Sequence, residues 1–246
     1  MPEDQPFLSI VIPALNEEER LPETLEQVFH FLSSQDYTSE VLVVENGSSD
    51  RTFEVAQEYA RTHPGLRPLH EPLRGKGRAV RRGMLEARGA YRFICDADLS
   101  MPISELSHFI PPEINGVEIA IGSREAPGAV RYNEPMRRHL SGRVFNLLIH
   151  MLVLPGLKDT QCGFKCFSAA ATQDIFPRLT LMGWSFDVEA LYIARRAGYR
   201  IVEIPINWYF NPQSKVNLLR DSTRMAGDLL TIRRNARRGL YDGRRA

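Results

Sequence analysis

Continuous apolar runs alternate with amphipathic stretches along the first hundred residues, and this alternation predicts a fold before any chemistry is considered. Residues 7–12 are apolar but for Ser9 and rich in β-branched side chains, as a strand buried on both faces requires. Pro13 closes the run. Asn16 is placed to cap a following helix, with Glu17, Glu18 and Glu19 in its first turn and Leu21, Leu25, Val28, Phe29 and Leu32 on one face. A second strand is predicted over 40–44, a helix over 50–63, and a weaker strand over 66–70. A helix over 76–87 follows, then a fourth strand over 91–95 that runs straight into Asp96-Ala97-Asp98.

This β-α-β-α order predicts a mostly parallel α/β sheet flanked by helices, Rossmann-like in its winding. Ligands gather at the C-terminal edges of the strands in such sheets, and Pro13, Glu45 and Asp96 all fall at such edges. The second half is less regular. A strand is predicted over 117–121, helices over 136–154 and 186–197, a strand over 200–206, and a last amphipathic helix over 218–238. With no internal repeat or linker, residues 1–246 read as one domain with a C-terminal helical elaboration.

Composition narrows the function classes. Apolar residues make up 43%, enough for a sizeable core, and a net charge of +1 gives no overall field for nucleic acid. From Arg220 onward eight arginines face three aspartates, a basic end suited to an anionic surface or to plain solvation. Three cysteines, Cys95, Cys162 and Cys166, form no disulfide framework, which implies a reducing compartment, and no His near the last two completes a zinc site. The acidic, polar first five residues do not read as a signal peptide. No stretch reaches the roughly 20 apolar residues that span a bilayer. The most apolar one, 144–157, suits a core helix or one lying at a membrane interface.

The chemistry concentrates in a few segments. Two carboxylates one residue apart, Asp96 and Asp98, repel each other at a buried strand's end unless a cation sits with them. A hard divalent ion there bridges a diphosphate and neutralises a leaving nucleotide. The bland reading is a pair of loop aspartates capping the helix near Pro102. Arg74-Gly75-Lys76-Gly77 combines glycines, a helix start and a positive charge, the elements of a phosphate-contacting turn. It lacks P-loop spacing, and no Gly-x-Gly-x-x-Gly follows the first strand, so kinase and dinucleotide readings are poor. Glu45 is placed to accept from a base or ribose, whereas Asp50 suits helix capping. The segments 159–165 and 184–189 mix polar and aromatic residues. Lys165 suits an anionic acceptor and Trp184 suits stacking on a sugar or plain half-burial. Ser214-Lys215 suits a segment closing over phosphates.

In this order, Val11-Ile12-Pro13-Ala14-Leu15-Asn16-Glu17, Glu45-Asn46-Gly47-Ser48-Ser49-Asp50, Gly75-Lys76-Gly77, Asp96-Ala97-Asp98-Leu99-Ser100 and Asp159 through Lys165 resemble the family-2 inverting glycosyltransferases of GT-A fold. Within that family the chain is most similar to the dolichyl- or polyprenyl-phosphate sugar synthases. The run from Asp159 and the run Phe186-Asp187-Val188-Glu189 look most like the dolichyl-phosphate β-glucosyltransferases. The resemblance implies that Pro13, Glu17, Glu45 and Lys76 hold the nucleotide with Asp96 near the ribose, and that Asp98 binds Mg²⁺ or Mn²⁺. It implies that Arg124, Ser141 and Lys165 face the acceptor phosphate and that Lys215 clamps the diphosphate, while Asp187 and Glu189 match by order alone. It further implies a nucleotide-sugar half over 1–125 and an acceptor-binding, membrane-proximal half over 126–246. Asp96, Asp98 and Lys165 are then the expected catalytic residues.

The expected reaction moves a hexose, glucose favoured, from a nucleotide sugar to a lipid phosphate at the cytoplasmic face of a membrane, through peripheral contact. GDP-mannose as donor, a soluble acceptor, and a non-catalytic nucleotide-sugar-binding subunit are the alternatives. A homo-oligomer or a separate membrane partner stays open.

Overall fold

The computed structural model of the chain describes residues 5–212 and 218–242, without the side chains of 137, 138, 140, 141, 144, 145 and 218–223. Strands β1 (Leu8–Ala14), β2 (Ser39–Glu45), β3 (Leu66–His70) and β4 (Tyr91–Ile94) pair in parallel, β1 lying between β2 and β4. Helices α1 (Leu21–Ser33), α2 (Thr52–Ala60) and α3 (Lys76–Glu86) connect them.

Both faces of β1 are covered, so its residues sort by alternation. Val11 packs with Ala79, Val80 and Met84 of α3, whereas Leu8, Ile10, Ile12 and Ala14 pack with Leu21, Leu25 and Val28 of α1. Each fully buried aliphatic side chain of this kind stabilises the fold by roughly 1.5–3 kcal/mol. The two cores, one on each face, hold the strand edges in fixed register.

α1 starts later than the sequence suggests. Leu21 and Pro22 open the helix, proline being tolerated there because its missing N–H would have no partner in the first turn. Asn16, expected as the cap, instead lies at φ +53° and accepts a hydrogen bond from Ser49 N at 2.8 Å. Glu17, Glu18 and Glu19 precede the helix, with the Glu17 carbonyl receiving Leu21 N–H at 2.8 Å. The Asn16 side chain therefore joins two loops at the sheet edge.

In the second half β5 (Ile119–Ser123) is followed by the short β6 (Val130–Tyr132), α4 (Met136–Leu152), β7 (Lys165–Ser168) and α5 (Ala169–Ile175). Then come α6 (Phe186–Arg196), β8 (Ile201–Pro205), β9 (Asn207–Tyr209) and α7 (Leu218–Arg237). The large sheet runs β3-β2-β1-β4-β7-β5-β8, and β6 pairs with β9 beside it. Neither β7 nor α5 is predicted from the sequence. β7 is antiparallel to both neighbours, with Lys165 opposite Ile94 of β4 and Ile121 of β5. Ser168 caps α5, its Oγ accepting from Ala171 N at 3.2 Å.

α4 presents both of its expected surfaces. Ile149 is buried, while Leu147 and Met151 stand 57% and 70% exposed. Among the described residues no helix is long and apolar enough to cross a membrane.

α7 is fastened at its far end. Asp228 accepts from Ser185 Oγ at 2.7 Å, Asn235 Nδ2 donates to Thr180 Oγ1 at 3.0 Å, and the buried Tyr241 hydroxyl donates to Glu189 Oε1 at 2.5 Å. Replacing Tyr241 by Phe deletes a hydrogen bond to a charged acceptor without changing shape. Urea denaturation of Tyr241→Phe is expected to show a loss of about 1.5–3 kcal/mol. An unchanged midpoint would mean the C-terminal turn is not held by this bond.

Candidate active site

The C-terminal edge of the parallel strands gathers most of the expected donor residues. Pro13 is the next-to-last residue of β1, opposite Val44. Glu45 ends β2, buried, its Oε1 receiving Ser48 N–H and its Oε2 lying 2.5 Å from His70 Nδ1. His70 ends β3 directly opposite Glu45, a pairing visible in the sequence only as two polar residues closing neighbouring strands. Glu17 pairs with Arg20 at 3.1 Å, and its N–H reaches Thr52 Oγ1 at 2.7 Å. Asp50, expected as a cap, lies one residue before the Arg51 cap position of α2, where Oδ1 accepts from Thr52 N at 3.1 Å while Oδ2 takes Glu18 N–H at 3.2 Å.

Asp96 and Asp98 follow β4 directly. Asp98 Oδ1 accepts from Ser100 N at 3.0 Å, and Asp96 Oδ1 pairs with Lys76 Nζ at 2.6 Å. Burial alone would lower the Lys76 pKa, but the carboxylates of Asp96, Asp187 and Asp98 hold it raised, so Lys76 is firmly cationic. Its ammonium also lies 5.4 Å from the Trp184 ring centroid, within cation–π range.

Two glycines make this convergence possible. A Cβ on Gly77 would come within 2.8 Å of Phe186 Cβ, so the starts of α3 and α6 approach closely only without one. A Cβ on Gly163 would overlap the Asp96 carboxylate, which places that backbone against Asp96.

From Gly163 the contacts continue inward. Lys165 Nζ donates to the Cys162 carbonyl and lies 3.2 Å from Asp187 Oδ2. Contacts thus run from Lys76 through Asp96, the 162–163 backbone and Lys165 to Asp187, whose charge acts back on Lys76 and closes the circuit, with Trp184 beside Lys76. Lys165, expected to face an acceptor, is only 2% exposed. It enters the site from beneath, on the antiparallel strand β7, because both neighbouring strands cover it.

The other expected residues lie elsewhere or serve the frame. Arg124 Nε and Nη2 bind Asp159 at 2.6 and 3.0 Å, and Arg124 N adds a third bond at 3.0 Å. Burial would raise the Asp159 carboxyl, but Arg124 holds it down at about 2. Glu189 is fully buried and accepts from Thr180 N at 2.9 Å, Leu181 N at 2.7 Å and Tyr241, which fixes the segment leading to Met182 and Trp184. The side chain of Ser141, on α4, and Lys215 with Ser214 lie outside the described residues.

The carboxylates suit a hard divalent cation. Among the described residues no group of three or more His, Cys, Asp or Glu side chains could hold a metal. Asp98, with Asp96 beside it, matches the other known arrangement, in which one or two carboxylates share the ion with substrate phosphates.

A mostly parallel sheet with paired aspartates just past its fourth strand, a cationic helix start facing them, and an antiparallel strand inserted beside them fit the GT-A fold that the sequence resemblance implies. The chain belongs to glycosyl transferase family 2, whose description matches residues 9–176. It is 34% identical to a dolichyl-phosphate β-glucosyltransferase of Dictyostelium discoideum, over 94% of this chain and 75% of that one. It is 35% identical to the Saccharomyces cerevisiae enzyme of that name over 97% and 78%, and 34% identical to the Homo sapiens one over 92% and 74%. In fold it is similar to mannosyl-3-phosphoglycerate synthase of Rubrobacter xylanophilus, with a TM-score of 0.67 at 18% identity over 98% and 77% of the two chains. Glucosyl-3-phosphoglycerate synthase of Mycobacterium tuberculosis, solved with Mn²⁺, UDP-glucose and phosphoglyceric acid, gives 0.64 at 18% identity over 92% and 78%.

The Arg124–Asp159 pair yields a test with a definite sign. Asp159 has a depressed folded pKa, so its contribution is fully present above its ordinary value of 3.8 and is lost as pH falls toward about 2. Arg124→Met strands that buried charge and is expected to cost about 3–5 kcal/mol at neutral pH. The deficit should narrow toward pH 4 as the stranded carboxyl protonates. Denaturation at pH 7 and pH 4 measures both, and a deficit independent of pH would contradict the pairing.

Proposed function

We propose that this chain transfers glucose from UDP-glucose to the phosphate of dolichol or another polyprenol, inverting the anomeric carbon to give a β-linked lipid-phosphate sugar. The observation that carries this reading is the similarity, over more than 90% of the chain, to enzymes named for that activity. The charges of the site support it.

A lipid monophosphate near neutral pH already carries roughly 1.5–2 negative charges, by analogy with protein phosphates. Such a nucleophile needs no general base. It needs orientation and compensation for its repulsion from the donor. Lys76 takes the donor diphosphate in exchange for Asp96, which is freed to accept from the ribose beside Pro13, Glu17 and Glu45. Lys165 supplies a fixed positive charge beneath the reacting centre, and Lys215, outside the described residues, is assigned to the diphosphate by the sequence resemblance alone. Arg124 and Ser141 mark the acceptor side, within the half 126–246. Asp98 would hold Mg²⁺ or Mn²⁺, and the ion would supply positive charge to the leaving nucleoside diphosphate.

The lipid is reached from a membrane surface. The exposed Leu147, Leu148 and Met151 of α4, with the exposed Arg143, suit peripheral contact on the cytoplasmic face. Basic residues near anionic lipid add about 1 kcal/mol each.

The test is a transfer assay with short polyprenyl phosphate, Mn²⁺ or Mg²⁺, and UDP-glucose or GDP-mannose in parallel. Lipid-linked glucose from UDP-glucose alone is the expected result, and product from GDP-mannose alone would overturn the choice of donor. Asp98→Asn is expected to reduce transfer by roughly 100-fold or more. Its circular dichroism and melting midpoint should match the parent. Full turnover in that variant would remove Asp98 from the site.

A further inference from the structure

Among the described residues, three buried side-chain atoms have no hydrogen-bond partner: Tyr37 Oη, Thr160 Oγ1 and Asp187 Oδ1. Tyr37 packs on Phe7 at the opposite edge of the sheet, and Thr160 adjoins the Arg124–Asp159 pair. Asp187 Oδ1 alone belongs to the circuit around Lys76 and Asp96. An orphaned carboxylate oxygen inside a protein is costly, and it needs an explanation.

Its neighbour is incomplete in the complementary sense. A lysine ammonium has three N–H donors. Lys165 directs them to the Cys162 carbonyl and to Asp187 Oδ2, which leaves one. The pair is deeply placed, with side chains 2% and 9% exposed. One acceptor and one donor therefore stand side by side without partners. A hydroxyl group, which donates one hydrogen and accepts on its oxygen, satisfies both at once.

We infer that Asp187 Oδ1 and the remaining N–H of Lys165 bind one hydroxyl of the donor hexose, which makes this ion pair a sugar-reading subsite. The inference rests on the reading of the donor as a nucleotide-bound hexose. The chemistry excludes the other parts of the substrates. A carboxylate repels the donor diphosphate and the acceptor phosphate alike, and the polyprenyl chain carries no hydroxyl. The ribose hydroxyls, in that same reading, are already met by Asp96 and by Glu45 at the end of β2. Donor entry opens the circuit at the Lys76–Asp96 pair, where Lys76 exchanges a carboxylate for phosphate oxygens. The hexose then follows inward to Asp187.

Titration calorimetry of the full chain with Mn²⁺ tests this without any acceptor. The ligands are UDP, UDP-glucose and UDP-glucose lacking the 2-, 3-, 4- or 6-hydroxyl. One deoxy analogue is expected to bind roughly 10- to 100-fold more weakly than UDP-glucose. The double variant Asp187→Leu with Lys165→Met replaces the pair by apolar groups and leaves no buried unpaired charge. It should bind UDP within about twofold of the parent, bind UDP-glucose as weakly as that analogue, and show almost no further loss for it, the non-additivity of a shared contact. Asp187→Asn, which keeps the shape and weakens the acceptor, is the second variant if the first does not fold. Equal affinity for all four analogues, or an undiminished penalty in either variant, would overturn the subsite. Binding of UDP but not of UDP-glucose to the parent also overturns it. Failure of both to bind brings down the donor reading itself, and the subsite with it.

Discussion

Three carboxylates, those of Asp96, Asp98 and Asp187, act together on one ammonium, that of Lys76. Their mutual repulsion is the constraint around which the centre of the molecule is arranged. Two lysines answer it from opposite directions, Lys76 from a helix start and Lys165 from the interior. Neither position is free to vary. Lys76 reaches Asp96 only because Gly77 lets two helix ends meet, and Lys165 is held between two strands. The result is a site in which Asp96 and Asp187 each pair with a lysine, while Asp98 takes the backbone N–H of Ser100.

The parallel half was legible because its signals are local. Residues 66–70 form the predicted strand, and α3 differs from its expected span by one residue, since the apolar run and the helix face each show their own period within a few residues. The donor-edge residues Pro13, Glu45 and Asp96 followed from that order. β7 was not legible. Its four residues, Lys-Cys-Phe-Ser, are too few to show alternation, and they become a strand only by hydrogen bonding to β4 and β5, far away in sequence. For the same reason the depth of Lys165 could not be foreseen, since exposure depends on what closes over it. Asn16 misled by a different route. Its residue type suits a cap and equally a left-handed turn, and the pull of Ser49 decided between them. Glu189 looked like site chemistry in the sequence, but it spends its oxygens on the backbone of Thr180 and Leu181.

That arrangement ties the end of the chain to the centre. Glu189 receives Tyr241, Ser185 reaches Asp228, and Thr180 receives Asn235, so α7 fastens the segment that carries Met182 and Trp184. The same segment packs on Gly75 and Gly77, where Lys76 begins its helix. Distant residues thereby govern the position of one ammonium through packing and hydrogen bonds, with no contact to a ligand.

The strand order carries a consequence for synthesis. β5 leaves the ribosome before β7, yet its neighbours in the finished sheet are β7 and β8. Until residues 165–168 emerge, β4 keeps an unpaired edge and β5 has no place beside it. An open edge of that kind is where nascent chains join to one another by mistake. The interval between β4 and β7 is therefore the vulnerable stretch of this polypeptide's birth, the point at which a chaperone is most needed. Once residues 165–168 have emerged, β4 gains its partner and β5 its place, and the edge of β5 then waits only for β8.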